Sequence, residues 1–235
     1  MNLKNKKIII TGGSLGIGKE TAKNLLNKGA NVLLIGRSMN RLNNAFKNSN
    51  AHLFSFDIGD VDKIKLNAAK CLSALNYEVD VLINNAGIGV SKSIDELNYS
   101  DFLKVFNVNV FGLSLFTKEI TPFMKKRKNG TIINIGSTAS LKGYKNGSIY
   151  ASSKFALRGL SQCWQAELRP YNIRVCQINP SEVTTAFGSN DRVERDNIYN
   201  KLSPKEISHS IISALEMSDK GFVNEVSVWA TNPFE

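Results

Sequence analysis

No apolar stretch of this 235-residue chain approaches the roughly 20 residues that cross a bilayer, so no membrane-spanning helix is expected. The start, Met1-Asn-Leu-Lys-Asn-Lys-Lys7, runs directly into a short apolar segment without the longer core of a secretion signal, which makes the cytoplasm the expected address. Cysteine is scarce: Cys71, Cys163 and Cys176 are the only three, odd in number and far apart. There is no Cys-x2-Cys pair, and His52 and His209 are distant from each other, which argues against a disulfide framework and against a metal site. All three thiols are expected to be reduced and in or near the core, and both histidines structural. Repeats at solenoid spacing, low-complexity tracts and linkers are also missing, so residues 1–235 are expected to form one domain.

Negative charge is in short supply. Thirty Lys and Arg stand against 20 Asp and Glu, a net charge of +10. Such an excess suits a nucleic-acid surface, an acidic partner or ligand, or simply a solvated Lys-rich exterior. The one dense run, Lys125-Lys-Arg-Lys128, falls at the end of a predicted helix, where cations oppose the macrodipole. No aromatic residues interleave it, so a nucleic-acid stacking platform is not indicated.

What the chain has is alternation. Apolar runs read as strands at Lys7–Thr11, Asn31–Ile35, His52–Phe56, Val79–Ile83, Thr131–Ile135, Arg174–Asn179 and Phe222–Val228. Amphipathic stretches between them predict helices near Gly16–Asn27, Met39–Lys47, Val61–Leu75, Asp101–Arg127, Ile149–Arg169 and Pro204–Met217. Near-continuous Ile, Val and Leu suits strands buried on both faces, and the alternation predicts an α/β doubly wound parallel sheet of about seven strands with helices on both sides. The late polar stretch 187–202 follows the sixth strand, at the sheet edge where such folds bind ligands, and is expected to act as a short substrate lid.

The turn Thr11-Gly-Gly-Ser-Leu-Gly-Ile-Gly18 lies between the first strand and the first helix. Gly12, Gly16 and Gly18 clear side chains from the backbone, so a pyrophosphate can approach the free N–H groups and positive end of the helix. The second strand ends Ile35-Gly36-Arg37-Ser38, without the carboxylate that would bind a ribose 2′-hydroxyl and repel a 2′-phosphate. Arg37 can instead grip that phosphate with a fork of donors and Ser38 can add a hydroxyl, which favours NADP(H) over NAD(H). Asp57 can accept from an adenine amino group or cap the helix that follows it.

Further along come Ile83-Asn84-Asn85-Ala86-Gly87, then Asn107-Val-Asn-Val110, then Ile135-Gly136-Ser137, then Tyr150-Ala-Ser-Ser-Lys154, and finally Asn179-Pro-Ser-Glu-Val-Thr-Thr185. Tyr-x3-Lys alone is weak in so Lys-rich a chain; the ordered set is not. With the Gly-rich turn these segments resemble the short-chain dehydrogenase/reductase family over nearly the whole chain, and look closest to 3-oxoacyl-(acyl carrier protein) reductases. The resemblance implies a single-domain Rossmann-type fold and an NADPH-dependent carbonyl reductase. It implies that Tyr150 protonates the carbonyl oxygen, that Lys154 one helical turn on lowers the phenol's pKa and holds the ribose, that Ser137 fixes the substrate oxygen, and that Asn109 holds a relay water. It implies cofactor contacts from Gly12, Ser14, Gly16, Ile17, Gly18, Arg37, Ser38, Asp57, Ile58, Asn85, Ala86, Tyr150, Lys154, Pro180, Val183 and Thr185.

Two departures stand out. Where the family usually has Pro-Gly, this chain has Pro180-Ser181. The carrier-protein reductases end in a Gly-Gly segment, whereas this chain ends Val226-Ser-Val-Trp-Ala-Thr-Asn-Pro-Phe-Glu235. The motifs therefore allow an acyl thioester, on an acidic carrier that would meet Lys125, Lys126 and Arg127, or a small-molecule ketone. They also leave open a non-catalytic NADP(H)-sensing protein of the same fold. The resemblance further implies a homodimer or homotetramer built on the helices bearing Asn109 and Tyr150.

Overall fold

A computed structural model describes residues 1–188, 193–196 and 198–233. The apolar runs become β1 (Lys7–Thr11), β2 (Asn31–Gly36), β3 (His52–Ser55), β4 (Val81–Asn84), β5 (Gly130–Ile135), β6 (Ile173–Pro180) and β7 (Glu225–Val228). The helices are α1 (Gly16–Asn27), α2 (Met39–Phe46), α3 (Ile64–Ala74), α4 (Tyr99–Phe106), α5 (Leu113–Arg127), α6 (Ser148–Leu168) and α7 (Pro204–Glu216). All strand pairs are parallel, in the order β3-β2-β1-β4-β5-β6-β7. The chain runs outward from β1 to β3, then returns to place β4 on β1's other flank. That reversal opens a crevice at the carboxyl ends of β1 and β4.

Successive strand residues feed two separate cores, because side chains alternate across a sheet. Ile8, Ile10, Val32, Leu34, Val81 and Ile83 pack on the face covered by α1 and α7. Ile9, Leu33, Leu82, Ile132 and Val175 pack on the other, with Phe116 and Ile120 of α5. Each fully buried Ile or Leu contributes roughly 1.5–3 kcal/mol.

A polar row crosses the second face. Asn84, Asn134, Gln177 and Glu225 are in register on four adjacent strands. Asn84 donates to Asn134 at 2.9 Å and to Thr117 of α5 at 3.0 Å. Asn134 donates at 2.9 Å to Ser161 of α6, which donates at 2.9 Å to Gln177. Pairing keeps most of these buried amide groups satisfied, although Asn84 Oδ1 is buried without a partner.

The predicted boundaries shift where side chains take over backbone groups. The fourth strand begins at Val81 rather than Val79, because the Val79 carbonyl accepts from the Arg127 guanidinium. The seventh begins at Glu225 rather than Phe222, whose ring lies under Arg169 instead. The predicted long helix Asp101–Arg127 is two helices joined by a π-helical turn, Asn107–Gly112. There the backbone passes so close to β3's exit loop that a Cβ on Gly112 would fall 1.8 Å from the Ile58 carbonyl oxygen. Cys71 and Cys176 are buried as expected, but Cys163 is exposed, since it occupies the outer face of α6. The basic run is partly committed: Arg127 pairs with Asp80 at 3.4 Å and the Lys125 ammonium lies 5.0 Å from the Tyr171 ring centre. It lies just before β5 begins, at the sheet edge opposite the crevice.

Candidate active site

A cavity of about 930 Å³ fills the crevice and runs from Arg37 to Trp229. That is the upper end of the ~300–1,000 Å³ usual for small-molecule sites. Most of the residues singled out in the sequence line it, at two ends of different character.

At the first end, the turn after β1 is held from behind by β4. The Thr11 hydroxyl accepts from the Asn85 and Ala86 N–H groups at 3.1 and 3.0 Å, and the Asn85 side chain donates to the Thr11 and Gly12 carbonyls at 3.0 Å. Gly12 has φ +68°, and a Cβ there would fall 2.9 Å from Ala86 Cα. Gly18 does not line the cavity. It packs under the turn, where a Cβ would fall 2.3 Å from the Gly12 carbonyl oxygen, so its role is to let helix and turn touch. Ser14, Gly16 and Ile17 face the cleft.

Arg37, Ser38, Asp57 and Ile58 line the same end. Ser38 caps α2, accepting from the Arg41 N–H at 3.3 Å. Asp57 accepts from the Gly59 N–H at 2.8 Å and lies 3.9 Å from Arg37. Both partners of that pair are about half exposed, so water keeps it weak. Arg41 also lines the cleft here. The sequence reading missed it, although its spacing of four from Arg37 at a helix start was available as a signal.

At the other end, the tight turn after β5 presents Ser137. A Cβ on Gly136 would fall 2.2 Å from Asn179 Oδ1 and 2.8 Å from Gln177 Nε2, so glycine is what lets the polar row pass beneath the turn. Ser137 accepts from the Ala139 N–H at 3.1 Å and lies beside the Tyr150 phenol, on which it acts electrostatically. Tyr150 and Lys154 lie one turn apart on α6, facing the cleft. The Lys154 ammonium is buried, donates to the Ile135 carbonyl at 2.8 Å and lies 5.7 Å from the Tyr150 ring centre.

The pKa directions correct the sequence reading. Burial raises the Tyr150 phenol to about 12; the neighbouring Ser137 hydroxyl opposes the rise and Tyr144 adds to it. Burial lowers Lys154 to about 8. Lys154 is turned toward the Ile135 carbonyl and does not lower the phenol here. Desolvation outweighs the expected charge effect. The phenol is therefore protonated at neutral pH and able to donate.

Asn109 does not line the cavity. It is fully buried in the π turn, where its Oδ1 accepts from the Ile88 N–H at 2.9 Å and its Nδ2 donates to the Ile88 carbonyl and to Ser153 at 2.9 and 3.0 Å. It thereby ties the loop after β4 to α6. A Cβ on Gly87 would lie 3.5 Å from Asn109 Oδ1 and 3.6 Å from Lys154 Nζ, so the two side chains flank one spot.

Pro180, Val183 and Thr185 line the cleft after β6. The two family departures meet here. The Ser181 N–H donates to the Val228 carbonyl at 2.8 Å, and its hydroxyl accepts from the Ala230 N–H at 3.4 Å. A glycine could not make the second bond, so Ser181 secures the atypical tail. The expected lid is not uniformly polar: Phe187, Val193, Ile198 and Tyr199 expose apolar surface. Residues 189–192 and 197 lie outside the described residues. Phe187 packs against Tyr150 with ring centres 5.4 Å apart and planes tilted by 55°, and Tyr144 and Trp229 also face the cleft. Among the described residues no His, Cys, Asp and Glu cluster could hold a metal ion, and no helix is long and apolar enough to cross a membrane.

Set beside known proteins, residues 6–196 match the family model described as short chain dehydrogenase. This chain belongs to the short-chain dehydrogenase family. A Schizosaccharomyces pombe relative named NADP-dependent 3-hydroxy acid dehydrogenase is 31% identical, over 98% of this chain and 94% of its own. A fatty acyl-CoA reductase of Acinetobacter baylyi is 32% identical, over 91% and 74%. The solved alcohol dehydrogenase of Thermococcus sibiricus, complexed with 5-hydroxy-NADP, superposes with a TM-score of 0.87 at 26% identity, over 96% of this chain and 97% of its own. As a member of the short-chain dehydrogenase family the protein is an oxidoreductase with a single seven-stranded parallel fold.

Proposed function

We propose that this short-chain dehydrogenase is an NADPH-dependent carbonyl reductase acting on ketones that carry an apolar group. The observation that carries the reading is the continuity of the cleft. A protonated phenol, beside Ser137 and the buried Lys154, forms one end, and an arginine-lined opening forms the other.

The residues present fit a dinucleotide. The glycines leave the first turn bare, and α1 directs its N-terminus into the cleft. Arg37 and Arg41 supply cations for a 2′-phosphate, with Ser38 beside them. Ile58 lines the cleft beside them, Asn85 and Ala86 line it after β4, and Pro180, Val183 and Thr185 after β6. The names of the fission-yeast relative and of the archaeal complex support NADP over NAD. When bound, NADPH supplies the hydride that reaches the carbonyl carbon. Tyr150 gives its phenolic proton to the carbonyl oxygen and is reprotonated from solvent past Lys154. Ser137 orients that oxygen. Asn109 acts indirectly, holding the Ile88 loop and α6 at a fixed separation beside Lys154.

Three aromatic side chains support the substrate class. Tyr144 is 53% exposed, Phe187 40% and Trp229 63%, and all line the catalytic end. Apolar surface left open at a cleft marks a binding face. Glu182 is offset there by Lys201 and Arg195. A 3-oxoacyl thioester meets these demands, and the likeness to a fatty acyl-CoA reductase is in keeping with an acyl chain. Exposed Phe111, Leu115 and Phe155 on the π turn, α5 and α6 suit self-association into a homodimer or homotetramer. The cytoplasm, where NADPH is regenerated, is the address that goes with this reading.

The test is NADPH oxidation with 3-oxoacyl thioesters of increasing chain length, diketones and quinones. We expect turnover that needs Tyr150 and a KM that falls with chain length, with Trp229→Ala flattening the trend. Full turnover by Tyr150→Phe would remove the catalytic assignment. Tight NADPH binding without turnover across the panel would favour a sensing protein instead.

A further inference from the structure

The first turn of α1 is already engaged. The Gly16 N–H donates to Glu194 Oε1 at 2.9 Å, and Lys19 Nζ meets Glu194 Oε2 at the same distance. Glu194 comes from the segment after β6, 178 residues away in sequence. Its neighbour Arg195 ties the same segment to the cleft wall after β6, donating to the Thr185 and Val183 carbonyls at 3.0 and 3.3 Å. Residues 193–196 thus form a strap from the substrate side of the cleft to the Gly-rich turn.

The chemistry of that contact is anion recognition. A carboxylate is held by a backbone N–H at a helix N-terminus and by one ammonium, the two kinds of donor that hold a phosphate oxygen. Burial alone would raise the Glu194 pKa, but the Gly16 N–H, Lys19 and Lys23 together hold it below the usual carboxylate range. The group is ionised at neutral pH. Its charge matches that of a pyrophosphate approaching the same turn, so the two repel and share one donor.

We propose that Glu194 is an internal occupant of the pyrophosphate subsite, and that a dinucleotide loads by expelling it. The inference rests on the dinucleotide reading of the cleft. In the free protein the carboxylate satisfies Gly16 and Lys19 and holds the strap against α1. Entry of the cofactor releases the strap at its Glu194 end and leaves Arg195 as the hinge side. Part of the intrinsic affinity for the cofactor is spent on that exchange.

The exchange is measurable without turnover. NADP⁺ and 2′-AMP, which carries the 2′-phosphate but no pyrophosphate, are titrated into full-length wild type, Glu194→Gln and Glu194→Ala by calorimetry. Removing the competing charge is expected to lower the Kd for NADP⁺ about tenfold in both variants, with 2′-AMP unaltered. Wild-type or weaker NADP⁺ affinity in both variants would overturn the proposal. Equal tightening of 2′-AMP would overturn it too, by showing that the strap obstructs the whole cleft rather than one subsite. No dinucleotide binding by any of the three proteins would remove the underlying cofactor reading, and this inference with it.

Discussion

The two ends of the cleft use charge in opposite ways. At the Arg37 end the side chains are roughly half exposed, and an ion pair at 3.9 Å is screened by water. At the Tyr150 end aromatic rims stay open, but Lys154 is buried and Tyr150 largely so, and burial is the main cause that moves the phenol to about 12 and the ammonium to about 8. The wet end can recognise a ligand cheaply, because exposed charges cost little to keep apart. The dry end holds groups whose proton affinity is altered, and that demands a scaffold. The polar row Asn84–Asn134–Gln177–Glu225 runs beneath the dry end, on the strands β4 to β7, while β1 and β2 are packed almost wholly with Ile, Leu and Val.

The comparison can be broken most sharply at the phenol. Tyr150→Phe should lower kcat/KM by about 10²–10⁴-fold with little change in the Kd for NADPH, measured by steady-state kinetics and by titration. Retained turnover would mean that the dry end does not supply the proton.

Next in size is the scaffold. Asn134→Leu leaves one Asn84 N–H unpaired, with only its Thr117 bond kept, takes away a partner of Ser161, and should cost about 2–3 kcal/mol in urea unfolding. A loss under about 0.5 kcal/mol would show that the row is dispensable.

Lys154 gives a test with a definite sign. Its pKa falls from 10.5 to about 8 on folding, so the unfolded chain binds more protons between those values. The stability penalty is therefore complete below about pH 8 and fades as pH rises toward 10.5. Lys154→Met should be about 2 kcal/mol more stable than wild type at pH 7, after allowance for the lost Ile135 hydrogen bond, and inactive. The advantage should vanish near pH 10; an advantage independent of pH would contradict the burial argument.

The smallest effect belongs to the wet end. Arg37→Ala should weaken NADPH binding roughly tenfold, leave NADH almost unaffected, and matter less as salt rises. An effect as large on NADH would place Arg37 on the adenine rather than on the phosphate.

Much of this molecule could be read before folding, and the reason is locality. Strands such as Ile8-Ile-Ile10 and Val32-Leu-Leu-Ile35 declare themselves because a buried parallel strand needs apolar side chains on both faces. The spacing from Tyr150 to Lys154 puts both on one side of a helix whatever surrounds it. Other features had no local signal. The π turn at Asn107–Gly112 reads as ordinary helix, because its close approach to Ile58 involves a distant strand exit. Cys163 looked like a core residue by composition, but the face of α6 that it occupies is chosen by packing. Ser181 reads in the sequence only as a departure from Pro-Gly, because the Ala230 N–H that its hydroxyl accepts lies 49 residues away.

Alternating strand and helix, the bare first turn, the arginine that replaces an acidic residue after β2, and the Ser, Tyr and Lys set are properties of neighbouring residues, and the chain's order was enough for them. The direction of the Tyr150 and Lys154 pKa shifts, the confinement of Asn109 away from the cleft, and the seat of Glu194 on α1 came only from the folded arrangement. Each depends on how much water is excluded, or on which remote groups meet, and neither quantity exists until the two cores have closed on the sheet.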